Sequence, residues 1–410
     1  MRRLLLHPLV TAILVLILTA PIAGLVLDGY TFNLHWQPPL GLALTALILH
    51  LVINLVRAWR SAQGGAWSVT HGPIPVPSHP ALLRTFRILL LLSCLVLPFL
   101  LNKYWLTVAI LALIYVLLAL GLNIVVGLAG MLDLGFVAFY AVGAYGYALG
   151  HEYLGLGFWS ALPLGAFLAA GFGVVLGFPV LRMHGDYLAI VTLGFGEIIR
   201  LVLNNWTEFT GGPNGVRVAF PSLPGLEFSR KAKEGNIAFH EWLGIDYSAN
   251  HRIMFMYLIL FLVVLLIMFL VTRLKKMPLG RSWEALREDE IACRSLGINH
   301  VTVKLSAFAM GAMIGGIGGV FFAASQGFVN PTSFTFFESA LILAIVVLGG
   351  LGSIPGVIIA AIVLTVLPEL LRDFSDYRIL VFGLAMVGMM IWRPRGLVRA
   401  RRPVFQGRQG

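Results

Sequence analysis

Long apolar runs alternate with short polar stretches along almost the whole chain. Most of these runs approach the roughly 20 residues that a helix needs to cross the hydrocarbon layer of a bilayer. The pattern predicts twelve spans, near residues 8–27, 39–56, 87–101, 106–126, 134–150, 157–178, 186–203, 252–272, 303–324, 338–350, 354–371 and 376–392. The expected fold class is therefore an all-α integral membrane protein, a polytopic helical bundle. The segments 134–150 and 338–350 are short or rich in glycine, so a re-entrant path stays open for both.

One stretch rich in Gly, Pro and Ser divides this predicted bundle. Residues 61–82 carry turn-forming residues instead of an apolar pattern. We interpret them as a cytoplasmic linker between a two-span N-terminal extension, residues 1–60, and a ten-span core, residues 83–393. A basic cytoplasmic tail is expected at residues 394–410.

The composition agrees with a membrane protein. Hydrophobic residues make up 59% of the 410 residues and charged residues only 11%, whereas about a quarter of the residues in soluble domains are charged. The net charge of +11 does not indicate nucleic-acid binding, because the basic residues sit in separate loops between apolar runs. Two cysteines far apart and ten histidines without ligand spacing predict neither a disulfide framework nor a metal site, and no cofactor is expected.

The basic residues orient the predicted spans. Cytoplasmic loops of membrane proteins are enriched in Lys and Arg. With the N-terminus inside, the basic residues that fall on the cytoplasmic side are Arg57, Arg60, Arg84, Arg87, Arg182, Arg273, Lys275, Lys276, Arg281, Arg287, Arg294 and the six arginines from Arg393 onward. Both termini are therefore predicted to be cytoplasmic. One long outer loop, about 204–250, is either an ordered cap or a docking surface for an extracytoplasmic binding protein.

The loop at 278–298 is the longest highly charged segment of the chain. Ser282 is predicted to cap a short helix that starts at Trp283 and carries Glu284 in its first turn. Asp289 is predicted to cap a second short helix that Gly297 ends.

A loop that only joined two spans would not need some twenty residues folded into such a compact unit. Glu290 and Arg294 should pair on the second helix, four residues apart. An amphipathic segment on lipid headgroups is one interpretation. The mixed charges, with Trp283 and Leu286, favour a contact with the groove of another protein.

Ionisable and chain-breaking residues near the spans are candidates for the transport pathway. A carboxylate inside a span should face the bundle interior or a water-filled cavity. Glu197 is the first choice, with a structural pair to Arg200 as the alternative. Asp133 is expected to cap a helix at the inner face, and Glu338 is expected to lie at the membrane interface. The pathway candidates are Asp133, Thr192, Glu197, Gly349 and Gly350.

Several stretches give the chain a resemblance to a known family. They are 127–136 (GLAGMLDLGF), 185–198 (GDYLAIVTLGFGEI), 211–215 (GGPNG), 348–356 (LGGLGSIPG) and the loop 278–300. Over about residues 120–400 the chain resembles LivM-type permease subunits of ABC importers for branched-chain amino acids. The loop resembles the coupling loop of such permeases, with Glu284-Ala285 and Gly297 in corresponding places.

The resemblance implies a non-catalytic permease of the bacterial inner membrane, surrounded by lipid. Its partners would be a second homologous permease, two cytoplasmic ATPase subunits and a periplasmic substrate-binding protein. The sequence contains no G-x-x-x-x-G-K-S/T phosphate loop, which agrees with ATP being hydrolysed by another chain. The residues implied to couple to the ATPase are Trp283, Glu284, Ala285, Arg287, Glu288 and Gly297.

Two other classes of transporter stay open. One is the same architecture importing urea, amides or another small solute. The other is a secondary transporter driven by an ion gradient, in which Glu197 or His184 would carry protons.

Overall fold

The computed structural model describes residues 101–180, 185–221 and 249–370, together with shorter pieces. These pieces are 25–28, 31–34, 93–99, 226–227, 237–238 and 396–398 and the single residues Leu91, Met183, Gly383 and Val387. The chain separates into two units, Met1–Pro73 and Ile74–Gly410. The following predicted features lie outside the described residues: the span 39–56, most of the spans 8–27 and 376–392, the whole linker, nearly all of the tail, and His184. The number of spans therefore stays a prediction.

The first unit contains one antiparallel hairpin. Strands β1 (Leu25–Asp28) and β2 (Thr31–Leu34) pair with Leu25 opposite Leu34 and Asp28 opposite Thr31. The prediction that a helical span reaches residue 27 is therefore wrong at its end. The branched and aromatic residues Val26, Thr31 and Phe32 favour the extended conformation there.

The second unit is built mainly of helices. Its main elements in chain order are α1 (Lys103–Leu122), α2 (Val137–Leu154), α3 (Phe158–Val180), α4 (Asp186–Asn205), β3 (Val216–Arg217), β4 (Leu226–Glu227), β5 (Ile237–Ala238), α5 (Ala249–Lys276), α6 (Pro278–Glu288), α7 (Glu290–Ser295), α8 (His300–Gln326), β6 (Phe328–Val329), α9 (Phe336–Gly349) and α10 (Ile354–Leu370). One turn of π-helix, Asn123–Leu128, continues α1.

Six helices of the described residues are long and apolar enough to cross a membrane. They are the segments Lys103–Leu128, Phe158–Pro179, Tyr187–Asn205, Asn250–Lys276, His300–Gln326 and Pro331–Gly349. The all-α polytopic membrane fold is thereby confirmed. The segments 134–150 and 338–350 correspond to α2 and α9, each an uninterrupted helix.

Helix α8 lies at the centre of the bundle and packs against α1, α2 and α3. Its glycines let the neighbouring backbones come close: a Cβ atom on Gly121 of α1 would lie only 2.8 Å from the Gly311 carbonyl oxygen. Small residues at helix contacts are the usual means of tight packing in membranes. The interpretation of the Gly311–Gly319 run as a packing face is confirmed.

The loop predicted to lie outside, about 204–250, begins as an ordered segment. Strand β3 pairs with β6, with Val216 opposite Val329, which ties the start of this loop to the end of α8. Nearby, the Tyr147 hydroxyl donates a hydrogen bond of 2.7 Å to the Ala219 carbonyl oxygen. Docking of a binding protein on this loop stays a prediction.

Candidate functional site

The charged loop forms a compact unit of two short helices, α6 and α7, which we call the knob (residues 278–297). Helix α6 begins at Pro278, five residues before the predicted start, because a proline at the first position has its φ already set for a helix. The predicted Ser282 cap is therefore wrong, since this hydroxyl donates to the Pro278 carbonyl oxygen at 2.9 Å inside the helix. Glu284 lies in the middle of α6, not in its first turn.

The second helix of the knob has the predicted ends. The Asp289 carboxylate accepts hydrogen bonds from the amides of Ile291 at 2.8 Å and Ala292 at 3.0 Å. Gly297 follows the helix with φ +80°, a left-handed conformation that favours glycine. The predicted Asp289 cap and Gly297 end are both confirmed.

The inner face of the knob is packed against its own chain. Trp283 is completely buried, and its Nε1 donates a hydrogen bond of 2.9 Å to Ser306 Oγ on α8. Leu286 and Cys293 are buried as well. The expectation that Trp283 and Leu286 contact the groove of another protein is therefore wrong. They are the hydrophobic anchor of the knob, because a large aromatic gains most when it is removed from water.

An ion-pair network also ties the knob to α8. Glu290 accepts a bond of 2.6 Å from Arg294, the predicted pair, and a second bond of 2.8 Å from Lys304. The Lys304 side chain is almost fully buried, whereas Arg294 is half exposed. The sequence pattern missed Lys304 because it lies fourteen residues from Glu290 along the chain.

The outer face of the knob combines charged and apolar side chains. Arg287 and Glu288 are exposed, and Ala285 is half-buried between the two faces. Ile291 and Leu296 on the second helix are 77% and 80% exposed. Exposed apolar side chains among charged ones are the composition expected of a protein contact. The sequence predicted the contact at Trp283, which is buried, and gave no signal for Ile291 and Leu296.

The knob also reaches into the bundle. The Arg287 guanidinium donates a hydrogen bond to the Gly127 carbonyl oxygen at the end of the π-helical turn. Lys275 donates to the Gly352 carbonyl oxygen at 3.1 Å and lies 3.4 Å from the Glu284 carboxylate. We call this meeting of the knob, the π-helical turn and residues 350–353 the junction.

One pathway candidate, Gly350, belongs to the junction, and another, Gly349, directly precedes it. Gly349 ends α9, and Gly350 follows with φ +106°. The amide of Gly352 donates a hydrogen bond of 2.9 Å to Asn123 Oδ1, which is completely buried on the π-helical turn. Gly352, two residues after Gly350, is the residue of this turn that lies near Arg287 and binds Lys275, the partner of Glu284.

The other three pathway candidates meet at a second place, between α4 and the segment before α2. The Leu134 amide donates a hydrogen bond of 3.0 Å to Thr192 Oγ1. The buried Asp133 accepts one of 2.8 Å from the Gly135 amide. The prediction that Asp133 caps a helix is wrong, because α2 begins four residues later, at Val137, with no side-chain cap.

Glu197 lies on the least buried of the six candidate spans. Its carboxylate accepts a hydrogen bond of 2.9 Å from Arg200 Nε, so the predicted pair with Arg200 is confirmed. The Glu197 side chain keeps 40% of its surface exposed in this chain. It lines a small open hollow with Leu134, Val137, Leu193, Gly196 and Phe336.

Glu338 forms a hydrogen bond with a residue that is distant in the sequence. It lies on the first turn of α9, where its carboxylate accepts a hydrogen bond of 2.6 Å from the Tyr115 hydroxyl. Tyr115 belongs to α1, 223 residues away along the chain. The expected position of Glu338 at the membrane interface stays a prediction.

These features define an α-helical membrane protein with several spans and a folded knob attached to the ends of its helices. The model of the family described as branched-chain amino acid transport system / permease component matches residues 104–391. The chain belongs to this family.

Several curated proteins are similar to the chain. The high-affinity branched-chain amino acid transport system permease protein LivM of Escherichia coli (strain K12) is 54% identical over 329 residues, which are 80% of this chain and 77% of that protein. BraD of Pseudomonas aeruginosa, described as a permease protein of the same kind of system, is 27% identical, over 69% of this chain and 91% of its own length. LivH of E. coli K12 is 25% identical with the same coverage. No solved structure matches the chain.

Proposed function

We propose that this chain is the pathway-forming permease subunit of an ABC importer for branched-chain amino acids in the bacterial inner membrane. Membership of the permease family and the 54% identity to a branched-chain amino acid permease support the substrate class. LivH and BraD, which are also described as permease proteins, match as well. Their similarity supports pairing with a second, homologous permease.

The strongest structural support for this proposal comes from the knob and the junction. The exposed face of the knob, with Ile291 and Leu296, is the docking surface for a cytoplasmic ATPase subunit. Trp283 holds the knob on α8, so a displacement of the knob moves that helix as well. Arg287 and Lys275 carry the displacement to the π-helical turn and to the break between α9 and α10.

In this mechanism, ATP hydrolysis by two ATPase subunits drives alternating access. A periplasmic binding protein delivers the amino acid to the outer loops, and movement of the knob opens the pathway inward. The knob and both termini lie in the cytoplasm. Glu197 and its Arg200 partner face the second permease or the aqueous pathway, because a charged pair with 40% of its carboxylate side chain exposed is costly in lipid.

Reconstitution of the purified complex tests this proposal. We expect this chain to co-purify with a second permease and an ATPase, and the complex to take up leucine, isoleucine and valine only when ATP and the binding protein are present. Uptake by this chain alone under a proton gradient would favour a secondary transporter instead. Uptake of urea or acetamide in place of leucine would contradict the proposed substrate class, but it would not contradict the proposed importer architecture.

The docking surface has its own test. Replacing Ile291 by Asp puts a charge on the exposed apolar pair without touching the buried anchor Trp283. The ATPase should then no longer co-purify, while the second permease still does. Replacing the exposed Phe178 of α3 by Leu is the control, and it should keep all partners. Full retention of the ATPase by the Ile291→Asp variant would exclude this surface.

A further inference from the structure

The pair Glu338–Tyr115 lies deep in the membrane part of the chain. Tyr115 is at the middle of the span Lys103–Leu128, and it donates its hydrogen bond to Glu338 Oε2 at 2.6 Å. Substrate sites of transporters are usually near the middle of the bilayer, where interrupted helices meet. Glu338 belongs to the span Pro331–Gly349, which changes from a 3₁₀ turn, Pro331–Ser333, to helix α9 only at Phe336, two residues before Glu338.

The carboxylate of Glu338 can accept more hydrogen bonds than the one that it receives from Tyr115. An ionised carboxylate can accept roughly four hydrogen bonds, and Tyr115 supplies one. The ion pairs found among the described residues do not include Glu338. A carboxylate at this depth is costly unless a partner of opposite charge joins it.

The surroundings of the pair are those of a cation site. Tyr140 lies close enough to Tyr115 and Glu338 to interact with them electrostatically. Its ring packs against Phe334 and Phe322, with centroid distances of 5.1 and 5.2 Å. Aromatic rings beside a carboxylate attract ammonium groups, because the ring faces carry negative charge.

Two buried hydroxyl groups near this cluster have no hydrogen-bond partner in the part of the chain that the structure describes. They belong to Tyr145 and Ser339. Ser339 follows Glu338 on α9, and the Tyr145 ring lies 6.1 Å from the Phe334 ring. Buried hydroxyls without partners are rare, because each one loses the hydrogen bond that it made with water.

The carboxylate of Glu338 lies near the surface of this chain. Glu338 is only half-buried, and the preceding residue Phe337 is 80% exposed on the same turn of α9. A ligand that entered along this face would reach the carboxylate before the aromatic cluster.

We propose that Glu338, with Tyr115 and Tyr140, binds the ammonium group of the transported amino acid, and that the hydroxyls of Tyr145 and Ser339 complete the site. This inference rests on the proposed function, because it takes an amino acid as the substrate. The carboxylate supplies the opposite charge, the tyrosines supply ring faces and hydroxyl oxygens, and the substrate supplies the three N–H donors of its ammonium group.

Two variants separate this role from a purely structural hydrogen bond. Glu338→Gln removes the charge but keeps an oxygen that accepts the Tyr115 hydrogen bond. Tyr115→Phe removes the hydrogen bond but keeps the charge. In proteoliposomes that contain the assembled complex, Glu338→Gln should raise the KM for leucine uptake about tenfold or more, because a charged hydrogen bond is lost. Tyr115→Phe should raise it by less than about threefold, because only a neutral partner is lost.

A structural role would give the reverse order, with Tyr115→Phe the more harmful change. That order, or an unchanged KM in the Glu338→Gln variant, would overturn the proposal. Ser339→Ala serves if Glu338→Gln does not assemble, because it removes a hydroxyl without a partner and inserts the best helix former. It should raise the KM for leucine about threefold with normal assembly, and an unchanged KM would again overturn the site. Failure of the wild-type complex to import leucine would instead contradict the proposed function.

Discussion

At the residue scale, Glu290 gives a direct comparison between a buried and an exposed ion pair. One carboxylate binds Lys304, which is 6% exposed, and Arg294, which is 48% exposed. Removing one partner of a buried pair leaves an uncompensated charge and costs about 3–5 kcal/mol. Glu290→Gln should therefore lower the free energy of unfolding of the detergent-solubilised protein by several kcal/mol, or prevent folding.

The matched variant changes Arg294, the exposed partner of Glu290 in the same network. Arg294→Gln removes only the exposed partner, and such surface pairs contribute about 0–1 kcal/mol. Denaturant or thermal unfolding of the two variants, side by side, measures the difference. Equal destabilisation by both changes would show that burial of Lys304 does not determine how much this network contributes to stability.

At the element scale, the junction is expected to couple ATP hydrolysis to transport. Arg287→Ala removes the hydrogen bond to Gly127 and leaves the exposed face of α7 unchanged. Basal ATP hydrolysis by the assembled complex should persist, whereas leucine uptake per ATP should fall about tenfold, since a charged hydrogen bond contributes about 1.5–3 kcal/mol. Arg273→Ala is the control, because this exposed arginine lies on α5, outside the knob, with its guanidinium 5.9 Å from the Phe269 ring of the same helix. Equal transport yields in both variants would exclude Arg287 from transmission.

The turn between α9 and α10 offers a second prediction about the junction. Gly352 has φ +78°, and a Cβ there would lie 3.1 Å from the Gly127 carbonyl oxygen and 3.5 Å from the Arg287 guanidinium. Gly352→Ala therefore adds crowding at the junction to the left-handed backbone cost of about 1–2 kcal/mol. We expect a loss of leucine uptake that exceeds the loss of folded protein.

The control for the backbone cost is Gly155→Ala. Gly155 has φ +61° after α2, and nothing lies within 4 Å of a Cβ built there. This variant should lose similar stability and retain the uptake activity per folded molecule. Thermal unfolding and leucine uptake, measured on the same preparations, separate the two effects. If both glycine variants lose transport to the same degree, the crowding at Gly352 has no specific role.

The same elements show what the sequence could predict. The Asp289 cap, the Gly297 end and the Glu290–Arg294 pair depend on residues within one or two turns, and all were predicted correctly. The partners of Arg287 and Glu338 lie 160 and 223 residues away, so local patterns contain no information about them. The start of α6 was misplaced because a serine cap was preferred to Pro278, which is an equally good helix start.

At the scale of the whole molecule, the exposed faces of two spans differ in a way that predicts their surroundings in the complex. Helix α4 exposes Ile190 and Ile198 beside the Glu197–Arg200 pair. Helix α3 exposes Val175 and Phe178, and its sequence has no charged residue. Lipid tolerates the second face but not the first, because a charged pair must find polar surroundings. We therefore expect α4 to face the second permease or the pathway and α3 to face lipid.

Single cysteines test this arrangement in a background that lacks Cys94 and Cys293. Ile198→Cys on α4 should react with a membrane-permeant maleimide when this chain is purified alone, and it should be protected or cross-linked to the second permease in the complex. Val175→Cys on α3 should react equally in both preparations, because lipid or detergent covers that face in each case. Protection of the α3 cysteine with continued reaction of the α4 cysteine would reverse the assignment. It would also place the Glu197–Arg200 pair outside the subunit contact. There the charged pair would need polar surroundings other than the second permease, because its exposure to lipid is costly.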